Sequence, residues 1–241
     1  MASPPQKTIG SISRGETLTD QAESVLRQAL MSGLFLPGKT ITIRALSAML
    51  NVSVTPAKEA MARLIAERVL EWGPRRSALV PVLTLDSVDE IYTIRIALEA
   101  AAAGAALSHL GRAEVATLGE IQDKLAKAFE RHDYKNVLIY NREFHFTISR
   151  KSGLPMLLGM IEGLWLRLGP SLNLLYSAFS KKDWAHREGT GYHPEIIAAI
   201  RSQDVEAMQT QIIADLTTGR ERLEHALLMA SRTPLSLAVT H

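Results

Sequence analysis

The chain has 241 residues, 46% of them apolar and none of them cysteine, which is enough for one large or two modest domains with real cores. The lack of cysteine excludes a disulfide framework and thiolate metal sites and suits a reducing cytoplasm. Net charge is +2, but residues 1–81 carry ten Lys and Arg against six Asp and Glu, while residues 82–241 carry 17 against 19, so a basic head on a near-neutral body, suited to a polyanion, is expected.

Residues 1–15 are polar and rich in Pro, Ser and Gly. They lack the apolar core of a secretory signal and read as a disordered arm. Thr19 and Asp20 offer N-caps to a first helix carrying Val25, Leu26, Ala29 and Leu30, which Gly33 and Pro37-Gly38 end. Lys39 to Thr42 suits a short strand, Arg44 to Leu50 a brief helix, and Asn51 a left-handed turn. A helix starting at Ser53 or Thr55 then buries Ala57, Ala60, Met61, Leu64 and Ile65. Two apolar stretches, Val69 to Trp72 and Ala78 to Val82, flank Gly73-Pro74-Arg75-Arg76-Ser77 and predict a hairpin with a basic tip. Three helices and a hairpin are the order of a winged helix-turn-helix, placed at 16–82.

Beyond Leu85 the apolar residues recur at three and four. Asp86 begins a long helix with Ile91, Ile94, Leu98, Ala102 and Ala105, and breaks near Gly111, His132-Asp133, Gly153-Leu154-Pro155, Ser180 to Asp183 and Ser202 to Asp204 mark about five more. The expected fold is therefore mainly α: the winged head, an all-α antiparallel bundle at 83–230, and a tail at 231–241. The small-residue seam from Ala97 to Ala106, with Gly104, lets helices approach closely. No apolar run reaches the roughly 18 to 20 residues of a membrane span, since the alanine run stops at Ser108 and His109, so no membrane partner is expected.

A helix-turn-helix reads base edges with the N-terminal end of its second helix. Here that end is Ser53, Val54, Thr55 and Lys58, with Arg44 opening the preceding helix and Arg75 and Arg76 on the hairpin tip able to reach backbone or minor groove. Taken singly, each is equally an ordinary solvated residue.

In the bundle, polar residues on inward stripes are the informative ones. Leu138, Asn141, His145 and Ile148 share a face; His193 lies in register with Ile196, Ile197 and Ile200; Asp215 sits among Ile212, Leu216, Gly219 and Leu223. One amide, two imidazoles and one carboxylate thus converge on a cavity. Such ligands suit Zn, Ni or Mn, with open positions for an organic or sugar acid. The alternative is a hydrogen-bonded core in which Asp215 satisfies a histidine. Arg95 suits clamping an effector carboxylate, or else pairs with Glu99 at the helix surface. Trp165, Tyr176 and Trp184 read as core or rim aromatics, and Arg142 and Arg167 have no assigned role.

The run from Gln28 to Val80 resembles the GntR winged-helix domain, through Leu36-Pro37-Gly38, Leu46-Ser47, Asn51-Val52-Ser53, Thr55-Pro56, Glu59-Ala60 and Arg63-Leu64 in that family's order and spacing. Ile91 to Glu99 and Phe144-His145 resemble the helical effector domain of the FadR subfamily, of FCD type and VanR-like. The resemblance implies an effector-controlled regulator, most often a repressor, acting as a homodimer on two half-sites of double-stranded operator DNA. It also implies a divalent metal held by Asp or Asn, a His four residues later, and two further His. This chain supplies Asn141, His145 and His193 but has Asp215 at the last position. Val54 and Lys58 stand where the family usually has Arg, and Ser77 where it has a wing-tip Gly; Arg44 matches. Other readings are a metalloenzyme using the His/His/Asp pocket and an architectural DNA-binding protein. The first lacks a nucleophile and base pair, a phosphate loop and an HExxH run. The second would need no inward polar residues.

Overall fold

The computed structural model describes residues 16–172, 174–175 and 191–232. The arm at 1–15, Tyr176, Trp184, the break at Ser180 to Asp183 and the tail from residue 233 lie outside the described residues. Helix α1 (Leu18–Met31) is capped not by Thr19 or Asp20 but by Thr17. The Thr17 hydroxyl accepts from the Asp20 amide, and the Asp20 carboxylate accepts from the Thr17 amide. Thr19 turns inward and donates to Glu59 at 2.7 Å.

Strand β1 (Thr40–Ile41) leads through the Thr42 cap into α2 (Ile43–Leu50), which ends at Asn51 in the left-handed conformation, φ 51°. Helix α3 (Val54–Ala66), β2 (Glu71–Trp72), a 3-10 turn (Pro74–Arg76) and β3 (Ala78–Leu79) complete the head. The hairpin expected from the sequence is widened to a three-stranded antiparallel sheet of order β1-β3-β2, because Thr40 and Ile41 pair with Leu79 and Ala78. At the tip, Ser77 is not the left-handed residue that replacing a glycine would suggest. Arg75 and Arg76 carry the positive φ, 54° and 60°, while Ser77 is buried with its hydroxyl donating to the carbonyl of Pro74.

The body comprises α4 (Leu85–Ala106), α5 (Arg112–Glu130), α6 (Tyr134–Arg150), α7 (Pro155–Leu172), α8 (Tyr192–Ser202) and α9 (Val205–Arg232). After α4, five helices stand among the described residues, as expected. Helix α4 packs along α9, α5 along α6, and α8 against both α5 and α9. Gly104 lets α9 approach, since a β-carbon there would meet the Gln209 amide at 2.8 Å, and that amide donates to the carbonyl of Ala100. Contrary to the sequence expectation, Leu85–His109 is by length and composition long and apolar enough to cross a bilayer, an 18-residue window within it having a mean hydropathy of 1.2. Here it serves as the core helix of the body, its Val88, Tyr92, Arg95, Glu99, Ala102 and Ala106 buried where it packs on α6, α7 and α9.

Head and body meet through α7. Leu166 is buried in the head's core with Leu26, Leu30 and Leu64. Next to it, Arg167 donates to the carbonyl of Glu67, the C-cap residue of α3, at 2.9 Å. Gly169 faces the end of α1.

Candidate functional site

In the head, α3 begins at Ser53, whose side chain makes no cap hydrogen bond. Its first-turn amides are therefore available to an anion, and the helix dipole favours one there. Ser53, Val54, Thr55 and Lys58 are exposed on that end, Arg44 on the first turn of α2, and Arg75 and Arg76 on the wing tip. None of the seven makes a side-chain hydrogen bond or ion pair among the described residues. Two other cations of the head are engaged: Arg63 pairs with Asp20 and Glu23 at 2.8 Å, and Arg27 with Glu23 and Glu67. The sequence made no such distinction between Arg63 and Lys58, which share a helix.

In the body, a cavity of about 100 Å³ is lined by residues including Arg95, Asn141, His145, Trp165, Asp215 and Arg222. At roughly 30 Å³ for each water it has room for about three of them, or for a small polar group. Asn141 and His145 reach it from α6 and Asp215 from α9, as their spacing predicts. His193 stands behind His145, with ring centroids 5.5 Å apart, and stacks on Phe144 at 3.8 Å.

One ligand atom from each of His145, His193 and Asp215 lies within 4.8 Å of the others. The His145 ring is held between two carboxylates, Nδ1 at 3.1 Å from Glu99 and Nε2 at 3.0 Å from Asp215. These approaches are short but off the axis of a hydrogen bond, so the facing Glu99 Oε2 and His145 Nε2 lack aligned partners. His193 Nδ1 faces the Gln122 side-chain oxygen at 2.8 Å. An amide oxygen only accepts, so Nδ1 carries the proton and the fully buried, unpartnered Nε2 keeps its lone pair. Two imidazole nitrogens and a carboxylate, with Asn141 beside them, fit a divalent ion of the Zn, Ni or Mn class.

Charge follows from the same contacts. Burial opposes protonation of His145, but Asp215 and Glu99 outweigh it and hold the pKa at about 9. Burial drives His193 down to about 4, against the pull of Asp215. Burial would raise the carboxyls of Asp215 and Glu99, yet both end below their usual range, through His145 for Asp215 and through Arg95 and His145 for Glu99.

Arg95 pairs with Glu99 in the interior and not at the helix surface. Both side chains are 2% exposed, with Arg95 Nε donating to Glu99 Oε1 at 2.8 Å. The guanidinium lies 4.0 Å above the Trp165 ring, and the indole N–H donates to the same Oε1 at 3.1 Å. The hydrogen-bonded core alternative is met in part, since Asp215 faces His145 while His193 turns to Gln122. Sequence reading gave Glu99 only as a surface partner of Arg95 and missed Gln122. The signal was there, because Glu99 lies a turn from Arg95 and Gln122 borders the stripe Leu118, Ile121 and Leu125.

A model of the gntR family of bacterial regulatory proteins matches residues 18–80, and a model of the FCD domain matches residues 90–218. The transcriptional regulator McbR of Escherichia coli K12 is 34% identical over 190 residues, 79% of this chain and 85% of that protein. The gluconate operon transcriptional repressor of Bacillus licheniformis is 28% identical over 150 residues, 61% of this chain and 58% of that protein. The E. coli McbR/YncC structure superposes with a TM-score of 0.82 at 32% identity, covering 87% of this chain and 98% of that one. A GntR regulator of Rhodococcus sp. RHA1 shares the fold, with a TM-score of 0.68 at 20% identity over 85% of this chain and 96% of that one. The relatives are named as transcriptional regulators, which overturns the metalloenzyme alternative.

Proposed function

Because this chain belongs to the GntR family of bacterial regulatory proteins and carries an FCD domain, we propose that it is a metabolite-controlled repressor of the FadR subfamily with a VanR-like effector domain. It is a DNA-binding transcriptional regulator and not an enzyme. The repressor role is supported by the name of the gluconate operon relative. In this reading the domain boundary falls at 82/83, two copies of the chain form the active dimer, and each head addresses one operator half-site.

Arg44, Ser53, Val54, Thr55, Lys58, Arg75 and Arg76 make the DNA contacts. Their lack of side-chain partners among the described residues supports this. Val54 gives a methyl contact and Lys58 a point charge, so the operator differs from one read by two Arg forks. The effector is an organic or sugar acid whose carboxylate enters the cavity lined by Arg95, Asn141 and His145. Asn141, His145, His193 and Asp215 are the residues that hold a divalent ion. Bound there, the ion supplies positive charge and open coordination positions for a carboxylate. Arg95 lines the same cavity and adds a fixed cation to it.

One observation carries the regulatory reading: α7 touches both sites. Trp165 and Leu172 line the cavity, while Leu166, Arg167 and Gly169 on the same helix hold the head, Arg167 by the end of α3 itself. A ligand that favours one seating of Trp165 favours one placement of the reading helix, with a coupling of about 1 to 3 kcal/mol typical of such linkage. The test is fluorescence anisotropy with DNA fragments from upstream of the gene and its neighbours, across a salt series, with and without small carboxylates and divalent ions. A salt-sensitive preference for one fragment, relieved by one acid, supports the proposal. Equal affinity for all fragments under every condition removes it.

A further inference from the structure

We infer that Glu99 is a positioning residue that sets the orientation of His145 and the tautomer of its neutral form, so that Nε2 is the ring nitrogen that gives up its proton to an ion in the cavity. The inference rests on the reading of His145 as a ligand given above. Glu99 lies one helix over from the ligands, on α4, with its side chain buried. Its Oε1 accepts from Arg95 Nε at 2.8 Å and Trp165 Nε1 at 3.1 Å. These donors come from two helices and fix the carboxylate plane. Arg95 is itself held between aromatic rings, 4.0 Å from Trp165 and 4.9 Å from Tyr92.

With Oε1 doubly engaged, Oε2 is left facing Nδ1 of His145 at 3.1 Å and has no aligned hydrogen-bond partner among the described residues. A carboxylate only accepts, and Asp215 faces the other ring nitrogen; once an ion engages Asp215, the one proton left on His145 belongs on Nδ1, toward Glu99, and the ion takes Nε2. That nitrogen points to Asp215, 3.0 Å away. Carboxylate–imidazole–metal arrangements orient a ligand in this manner, and losing the outer partner typically lowers metal affinity about 10- to 100-fold. Gln122 does the same for His193 from α5. The two histidines are thus fixed as Nε2 ligands by two unrelated elements, and Arg95, which the sequence offers as a clamp for the effector or as a surface partner of Glu99, also acts through Glu99 on the ring of His145.

Glu99→Gln tests this, because it keeps an oxygen for Arg95 and Trp165 but presents N–H groups to His145. The ring must then accept at Nδ1 and carry its proton on Nε2, which blocks the ligand position. Titration of the full chain with Zn²⁺ and with Mn²⁺ against a competing chelator should give a roughly 10- to 100-fold weaker affinity for Glu99→Gln. Leu118→Ala, a cavity in the same core, serves as the control for stability alone and should bind as wild type. Nitrogen-15 spectra of the imidazoles should find His145 of the Zn²⁺-loaded wild type protonated at Nδ1, a readout that stands even if the variant does not fold. Wild-type affinity in folded Glu99→Gln, equal weakening in Leu118→Ala, or a metal-bound Nδ1 overturns the positioning role while leaving the metal reading intact. A wild type that binds neither ion overturns both.

Discussion

Gly169 on α7 lies against the carbonyl oxygen of Leu30 at the end of α1, so closely that a β-carbon at 169 would stand 2.7 Å from that oxygen and 2.8 Å from the Cα of Met31. Both neighbours are backbone and cannot rotate away. Gly169→Ala must therefore part the head from α7, at a cost of about 1 to 3 kcal/mol typical of overpacking. The expected outcome is lower stability in denaturant and an operator affinity that no longer responds fully to ligand. Unchanged stability together with an unchanged ligand response would remove α7 from the coupling.

Arg95 and Glu99 form an ion pair closed to solvent, and such pairs are more costly to break than to replace. Arg95→Met leaves a buried carboxylate without its cation and should cost about 3 to 5 kcal/mol. The double variant Arg95→Met/Glu99→Leu should recover at least half of that loss in chemical denaturation. Additive losses in the double-mutant cycle would contradict the pairing.

The two histidines give opposite pH signatures in metal-free protein. His145 has a folded pKa raised from 6.5 to about 9, so its contribution to stability is complete below pH 6.5 and is lost as pH rises through about 9. The stability advantage of wild type over His145→Gln should shrink across that window by up to about 3 kcal/mol. His193 is depressed from 6.5 to about 4. Its neutral form is undisturbed above pH 6.5, and it destabilises the fold increasingly as pH falls from there toward 4. His193→Gln should then gain on wild type only on the acidic side. Parallel difference curves for the two variants would contradict the assignment.

Lys58 and Arg63 sit on one helix with different engagements. Lys58→Ala should lower the slope of log affinity against log salt by about one, as loss of one phosphate contact does. Arg63→Ala removes a cation already paired with Asp20 and Glu23, and should leave the slope unchanged. Equal slope changes for the two would show that the ion pairs of α1 and α3 open on DNA.

Metal loading should be proton-coupled. A ligating imidazole must be neutral, whereas His145 is held protonated up to about pH 9. Binding of Zn²⁺ at pH 7 should release about one proton from this ring, seen as a dependence of calorimetric enthalpy on the buffer's ionisation enthalpy. Buffer-independent enthalpy would mean that His145 is not a ligand or is already neutral.

Local chemistry made most of the fold legible before any coordinates. Asn51 as a left-handed stop and the i, i+3, i+4 stripe through Leu138, Asn141, His145 and Ile148 are one-dimensional signals, because helical geometry fixes which side chains share a face. The misses were local competitions that periodicity does not resolve. Thr17 outbid Thr19 as a cap because Asp20 could answer it reciprocally, and Thr19 turned inward to Glu59.

The sequence by itself determined a basic winged head, a helical body, and which helix faces carry Asn141, His145, His193 and Asp215, since these depend on residue type and on the repeat of one helix. Tertiary structure alone decided that Glu99 faces His145, that Gln122 answers His193, and that α7 touches both the cavity and the end of the reading helix. Those contacts join residues 46 to 100 positions apart, and only the packing of whole helices against one another sets such distances.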